Sequence, residues 1–217
     1  ESQEEINRSP VQFSEGNHSR LRPGDIKYRD LNGDGVIDDY DKMPIGYCDV
    51  PEITYGFGGA IEWKGFDVSI FFQGTARVSL FEEGSTIVPF TSGYKNNDGF
   101  LKGVMEDRWT VDNPNPNARY PRTIRSSDAL DNNNTKKSSF WVRNAAFLRL
   151  KNAEIGYTFP KRWLEKMSIQ NLRLYVSGVN LLTWAPDVHL FDPDLGSGDG
   201  RKYPPTRVFN VGLNINF

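Results

Sequence analysis

The chain has 217 residues, with Lys+Arg 26 against Asp+Glu 28 and a net charge of -2, at a mean hydropathy of -0.57. That balance offers no basic surface for nucleic acid and no acidic solvating tail, and the one cysteine, Cys48, cannot form an internal disulfide. No run of 18 apolar residues occurs, which excludes a transmembrane helix.

The opening stretch, ESQEEINRSPVQFSEGNHSR, lacks an initiator Met, a cationic start and an apolar h-region, and reads as the interior of a longer polypeptide. Residues 1–52 are rich in Pro, Gly, Asn and Asp and are expected to form a long loop. Within it, Asp30-Leu-Asn32-Gly-Asp34-Gly35-Val36-Ile37-Asp38-Asp39-Tyr40-Asp41 follows the calcium-loop pattern of oxygen ligands at positions one, three, five, seven, nine and twelve. Asp30, Asn32 and Asp34 would offer side-chain oxygens, Val36 its carbonyl, Asp38 a direct or water-mediated contact and Asp41 the last carboxylate, with Gly35 making the sharp turn and Ile37 pointing into a core. Asp41 stands where an EF-hand has Glu, so bidentate capture is harder. No helix precedes the loop. The expectation is calcium or a similar hard cation; the plainer reading is a cluster of Asx turns without an ion.

Period-two alternation begins at residue 53. Ile53, Tyr55, Phe57, Ile61 and Trp63 share one face, and Phe66, Val68, Ile70 and Phe72 share one in the next run. Joined by Lys64-Gly65, the two runs (53–63 and 66–75) read as a hairpin. A loop over 76–145 follows. The next strand, 146–159, carries Leu148 and Leu150, then Ile155, Tyr157 and Phe159, a slip that predicts a β-bulge near Asn152. KRWLEKM gives a turn or two of helix. Residues 171–182 carry Leu172, Leu174 and Val176, then slip to Val179 and Leu181. After a loop over 183–206, the strand 207–217 holds Phe209, Val211, Leu213, Ile215 and Phe217 in alternation with Asn210, Gly212, Asn214 and Asn216.

Long and short connections therefore alternate strictly. Antiparallel strands with long loops at one end and short turns at the other describe an outer-membrane β-barrel, and a tilted membrane strand needs roughly 9 to 11 residues. Aromatics gather at strand ends, at Tyr55, Trp63, Phe66, Tyr157, Phe159 and Trp184, where interfacial girdles sit. The competing architecture is a secreted, calcium-stabilised β-sandwich that binds carbohydrate. In the barrel, Glu62, Asp67, Ser69, Gln73, Arg173, Asn210 and Asn214 face a wet lumen. Leu213→Arg would then cost roughly 2 to 4 kcal/mol if it sits near the bilayer midplane, and Asn214→Arg little.

Few features suggest chemistry. Asp192-Pro-Asp194, followed by Gly196, Gly198, Asp199 and Gly200, is more often a plain turn than a cation or sugar site. His18 and His189 have no nucleophile pattern near them, so no enzyme is expected. Phe90, Tyr94, Trp109 and Tyr120 stack on a substrate or anchor a large loop to itself. Asn7-Arg-Ser9, Asn17-His-Ser19 and Asn133-Asn-Thr135 fit the glycosylation sequon.

Five segments in order, GDIKYRDLNGDGVIDDYDKMPIG, YGFGGAIEWKGFDVSIFFQG, DRWTVDNPNPNARYPR, SSFWVRNAAFLRLKNAEIGYTFP and LRLYVSGVNLLTWAPDVHLFDPD with the terminal aromatic strand, carry a resemblance. The chain resembles the C-terminal part of the SusC/RagA-type, TonB-dependent outer-membrane transporters of Bacteroidetes. The resemblance implies an all-β fold, the last antiparallel strands of a 22-stranded, plugged transmembrane barrel with long extracellular loops. It also implies import of oligosaccharides or peptides with a SusD-like surface lipoprotein, coupling to TonB through the missing N-terminal part, and contact with membrane lipid. The alternation of Phe209, Val211, Leu213, Ile215 and Phe217 looks like the strand by which such barrels are recognised for assembly.

Overall fold

The computed structural model describes residues 2–12, 18–84, 86–88, 101–123, 133–198 and 200–217. Asn17, Phe90, Tyr94 and Asp199, singled out from the sequence, lie outside them. The chain divides into two compact units: Glu1–Gly46, Leu80–Arg143 and Ser197–Lys202 form one, and Tyr47–Ser79, Asn144–Gly196 and Tyr203–Phe217 the other.

The second unit is built on five antiparallel strands in sequential order: β1 (Ile53–Trp63), β2 (Phe66–Ala76), β3 (Phe147–Thr158), β4 (Asn171–Trp184) and β5 (Val208–Asn216). The β1–β2 turn is Lys64-Gly65, with both residues at positive φ (50° and 91°), the left-handed pair that a two-residue hairpin requires. On β3 the register against β2 jumps between Phe71 and Phe72, leaving Lys151 as the extra residue. Opposite it, β4 spends Asn180 and Leu181. Asn180 takes φ 54°, and Leu181 folds over Gly178, where a Cβ would meet its side chain at 2.5 Å. Val179 does not join the apolar phase as its spacing suggested; it stays in a row with Asn152 and Val208.

The register sorts the side chains into two faces, since residues directly opposite across a ladder share a side. One face carries Trp63-Phe66-Tyr157-Leu174-Leu213, then Ile61-Val68-Ile155-Val176-Val211, then Gly59-Ile70-Ala153-Gly178-Phe209, then Phe57-Phe72-Leu150-Leu182, then Tyr55-Gly74-Leu148-Trp184. Every member is apolar, aromatic or glycine. The other face carries Glu62, Asp67, Ser69, Gln73, Arg149, Glu154, Arg173, Ser177, Asn210 and Asn214.

The first unit has its own core of Leu80, Ile87, Val104, Tyr120 and Trp141. Part of its polar interior is closed by a local network. Asn134, fully buried, accepts from the Ile26 amide at 2.8 Å and donates to Asp25 at 2.9 Å, while Asn133 donates to the Ile26 carbonyl at 2.6 Å. Arg122 closes the cluster on Asp25 at 2.6 Å. The GDIKY segment is thereby stitched to Asn133 and Asn134, and burial of Asn133 removes it as a glycan acceptor. Buried Glu82 is held by Arg143 at 2.8 Å.

Candidate functional site

The chemistry of this chain lies in the two faces of the sheet. On the apolar face the large side chains are open: Ile61 is 70% exposed, Phe209 70% and Val211 76%. A soluble sandwich would cover such a face with a second sheet; among the described residues no second sheet does so. Aromatics frame both ends. At the short-turn end Phe66 meets Tyr157 at 4.6 Å and Tyr157 meets Phe159 at 5.1 Å between ring centroids; at the long-loop end Phe57 stacks on Phe72 at 5.2 Å, and Phe72 neighbours Trp184 at 6.4 Å. From the Trp63 row to the Tyr55 row is eight residues of β1, about 26 Å along the strand at ~3.3 Å per residue, or roughly 20 Å of height at a tilt of about 40°, most of the roughly 25 Å of an outer-membrane apolar band.

The polar face holds its charges in pairs. Arg173 of β4 reaches across β3 to bind the Asp67 carboxylate through two nitrogens and Glu154 at 2.6 Å. Its guanidinium also lies 5.0 Å from the Tyr175 ring centroid. This crossing requires Gly156, because a Cβ there would stand 2.5 Å from Arg173 Nη2 and 2.7 Å from the Asp67 oxygens. Nearer the long loops, Arg149 is 1% exposed. It donates to Asp194 at 2.7 Å, Asp192 at 2.6 Å and Thr183 at 3.0 Å. Asp192 also caps the short 3-10 turn Pro193–Leu195 through the Asp194 amide.

Asp67 and Arg173 lie on this face as their alternation suggested; Glu154, which joins them, and Arg149, which forms its own cluster, were not singled out by the sequence. The available signal was a charged residue inside FLRLKN, between two leucines of the opposite phase. In the Asp-Pro-Asp segment both carboxylates are engaged by Arg149.

In the Asp30–Asp41 loop, all the expected side chains turn inward on backbone amides. Asp30 accepts from Gly33 at 2.6 Å and Gly35 at 2.8 Å, Asn32 from Asp34 at 3.0 Å, Asp34 from Val36 at 2.8 Å and Asp38 from Tyr40 at 2.8 Å. Asp41 accepts from Leu31 at 2.7 Å and Asp38 at 2.9 Å; the Asp38 and Leu31 amides hold its carboxyl below the ordinary aspartate value. Val36–Ile37 pairs in parallel with Val11–Gln12, and Ile37 is half-buried, not in a core. Among the described residues no group of three or more His, Cys, Asp or Glu side chains is gathered for a metal ion.

The remaining candidates separate. Phe209, Val211, Leu213 and Ile215 line up on the apolar face of β5, with Phe217 one residue past the strand. Trp109 covers Gly24 of the 1–52 stretch, where a Cβ would meet its ring at 2.3 Å, and Tyr120 is buried, so Trp109 packs one long loop against another and Tyr120 belongs to the core of the first unit.

No family model matches the chain. Individual proteins do. The chain is 31% identical over 230 residues to TonB-dependent receptor P26 of Formosa agariphila, covering 100% of this chain and 21% of that receptor. This chain belongs to the TonB-dependent receptors of the SusC/RagA type. SusC of Bacteroides thetaiotaomicron is 25% identical over 205 residues, 90% of this chain and 18% of SusC. Among solved structures, the RagAB peptide importer in its closed-closed state superposes with a TM-score of 0.62 at 21% identity over 87% of this chain and 20% of that one, and a second RagAB peptide transporter structure gives 0.58 at 23%. The chain spans about a fifth of the length of the curated relatives it matches. The five-stranded sheet is thus a section of a transmembrane barrel wall, and the relatives it matches are named as receptors and transporters.

Proposed function

We propose that this segment forms part of the wall and loops of an outer-membrane TonB-dependent importer in a Bacteroidetes-like Gram-negative cell. The five apolar rows carry the reading: they would be costly in water and are at home against lipid chains, while the opposite face keeps its charges in the aqueous lumen. The receptor would take up oligosaccharides or peptides, work with a SusD-like surface lipoprotein and draw energy through TonB by way of its other parts. SusC and the RagAB peptide importer support that assignment by kinship. The test is uptake in cells lacking the receptor: complementation with the intact gene restores import of labelled oligosaccharide or peptide, and co-purification identifies the lipoprotein. Restored growth with the receptor found only in the soluble fraction would refute the reading.

The Asp30–Asp41 loop is proposed to take calcium weakly. Each carboxylate oxygen engaged by an amide keeps a further lone pair, and the twelve-residue spacing supports a hard cation. The side chains would have to draw together around it, because they do not converge beforehand. Calorimetry with calcium at millimolar concentration should give measurable heat, abolished by Asp30→Asn with Asp34→Asn; no heat from the native receptor would end the proposal. The Phe209, Val211, Leu213, Ile215 and Phe217 alternation would serve barrel assembly, and Phe217→Ala should lower the folded fraction in the outer membrane.

A further inference from the structure

The short-turn end of the sheet carries cations that the wall reading leaves without a task. Lys64 forms the β1–β2 turn, its ammonium 4.8 Å from the centroid of the exposed Trp63 ring. The link between β3 and β4 carries Lys161 and Arg162 in the short helix Lys161–Leu164, and Lys166 in the 3-10 turn Glu165–Met167. All four side chains are exposed, and none has an ion-pair partner among the described residues. Register puts both turns at one end, since Trp63 pairs with Phe66, Phe66 with Tyr157, and Thr158 with Arg173.

Lys64 borders the apolar face through Trp63, and Lys161, Arg162 and Lys166 flank Trp163 in sequence. Trp63 belongs to the first apolar row, and Trp163 joins that row's aromatics through Phe159 at 6.2 Å. Buried Leu164 pins the helix in place. Between Phe159 and Gln170 the only acid is Glu165, and the nearby Asp67 is committed to Arg173 on the other face. Cations beside interfacial tryptophans, at the rim of a surface that faces lipid chains, are what a phosphate head group meets when its acyl chains lie against the same wall. A soluble anion would gain nothing from the tryptophans.

We propose that the short-turn end of this sheet binds the phosphate head groups of anionic phospholipid. Lys64, Lys161, Arg162 and Lys166 supply the charge, and Trp63 and Trp163 hold the depth. The inference rests on the membrane reading above. Its test uses the whole receptor, reconstituted in nanodiscs of phosphatidylcholine with or without phosphatidylglycerol, with retained lipid counted by native mass spectrometry. The native receptor should retain phosphatidylglycerol over phosphatidylcholine. The variant carrying Lys64→Gln, Lys161→Gln, Arg162→Gln and Lys166→Gln should lose that preference by about tenfold or more, while inserting normally and keeping its heat-modifiable gel mobility. Replacing Lys64, Lys161 and Lys166 by Arg should preserve the preference. Equal retention of the two lipids by the native receptor, or no change in the Gln variant, overturns the proposal with the membrane reading intact. Failure of the native receptor to insert into any bilayer overturns the membrane reading itself.

Discussion

Ile70→Arg is the substitution that most sharply tests the two-faced sheet. Ile70 lies in the middle of the five apolar rows, between Gly59 and Ala153. Four residues separate it along β2 from Phe66 in one aromatic row and four from Gly74 in the other, about 13 Å of strand each way at ~3.3 Å per residue. With a tilt of about 40°, the depth below either interface is roughly 10 Å, beyond easy reach of a snorkelling guanidinium. The cost is therefore about 2 to 4 kcal/mol, the midplane value for Arg on a lipid face, or roughly a 30- to several-hundred-fold loss in the folding equilibrium. Leu213, proposed for this role on sequence grounds, sits in the row of Trp63 and Phe66, so Leu213→Arg should cost only about 0 to 1 kcal/mol near the interface. Ser69→Arg, one residue from Ile70, turns to the polar face opposite Ala60 and Glu154 and should be close to neutral. The assay is urea-dependent folding of the receptor into lipid vesicles, read by heat-modifiable mobility. Equal destabilisation by Ile70→Arg and Ser69→Arg would refute the assignment of faces.

Gly156→Val should destabilise the receptor by about 1 to 3 kcal/mol in the same assay, since the new side chain overpacks the Asp67–Arg173 crossing, whereas Gly59→Ala, with nothing within 4 Å of its Cβ, should be tolerated. Arg149→Met leaves the Asp192 and Asp194 carboxylates without their cation; the expected result is protease cleavage within residues 185–196 where the native receptor is resistant. Because the Asp41 carboxyl is held below the ordinary value of 3.8, its contribution is present above that value and lost as pH falls through the lower folded one. Asp41→Asn should raise amide exchange at Leu31 and Asp38 at neutral pH, and unchanged protection would show that the carboxylate does not close the loop.

The strands were legible because each buries or exposes one whole face, so a period of two was written along every run, and even the bulge announced itself as the shift from Leu150 to Ile155. What the sequence did not display was lateral pairing. Arg149, Asp192 and Asp194 come from residues 43 and 45 apart, and the Asp67–Arg173 contact spans 106 positions; a local pattern contains no record of such distances. The slip expected at Val179 failed for a related reason. A bulge shared by β3 and β4 can be absorbed by one left-handed residue, Asn180, which no apolar spacing reveals. The calcium-type spacing was legible as a motif, yet the same Asx side chains also suit turns closed by backbone amides, and the pattern alone cannot choose between these uses.

The glycines connect these observations. A mean hydropathy of -0.57 fits a membrane wall because only one residue in two of each strand meets lipid, and because the wall itself is kept thin. Tyr55 lies across Gly74, donating to the Phe147 carbonyl at 3.2 Å, and Tyr175 lies across Gly212, where a Cβ would meet its ring at 2.2 Å. A large side chain thus lies flat over a glycine of the neighbouring strand on either face, covering backbone that would otherwise be bare. On the polar face the same device lets Arg173 cross Gly156 to its carboxylates. Side chains that lie along the sheet instead of projecting from it leave the space above them open, and a wall that must border a lumen gains room for whatever passes or plugs it without giving up the contacts that hold its strands in register.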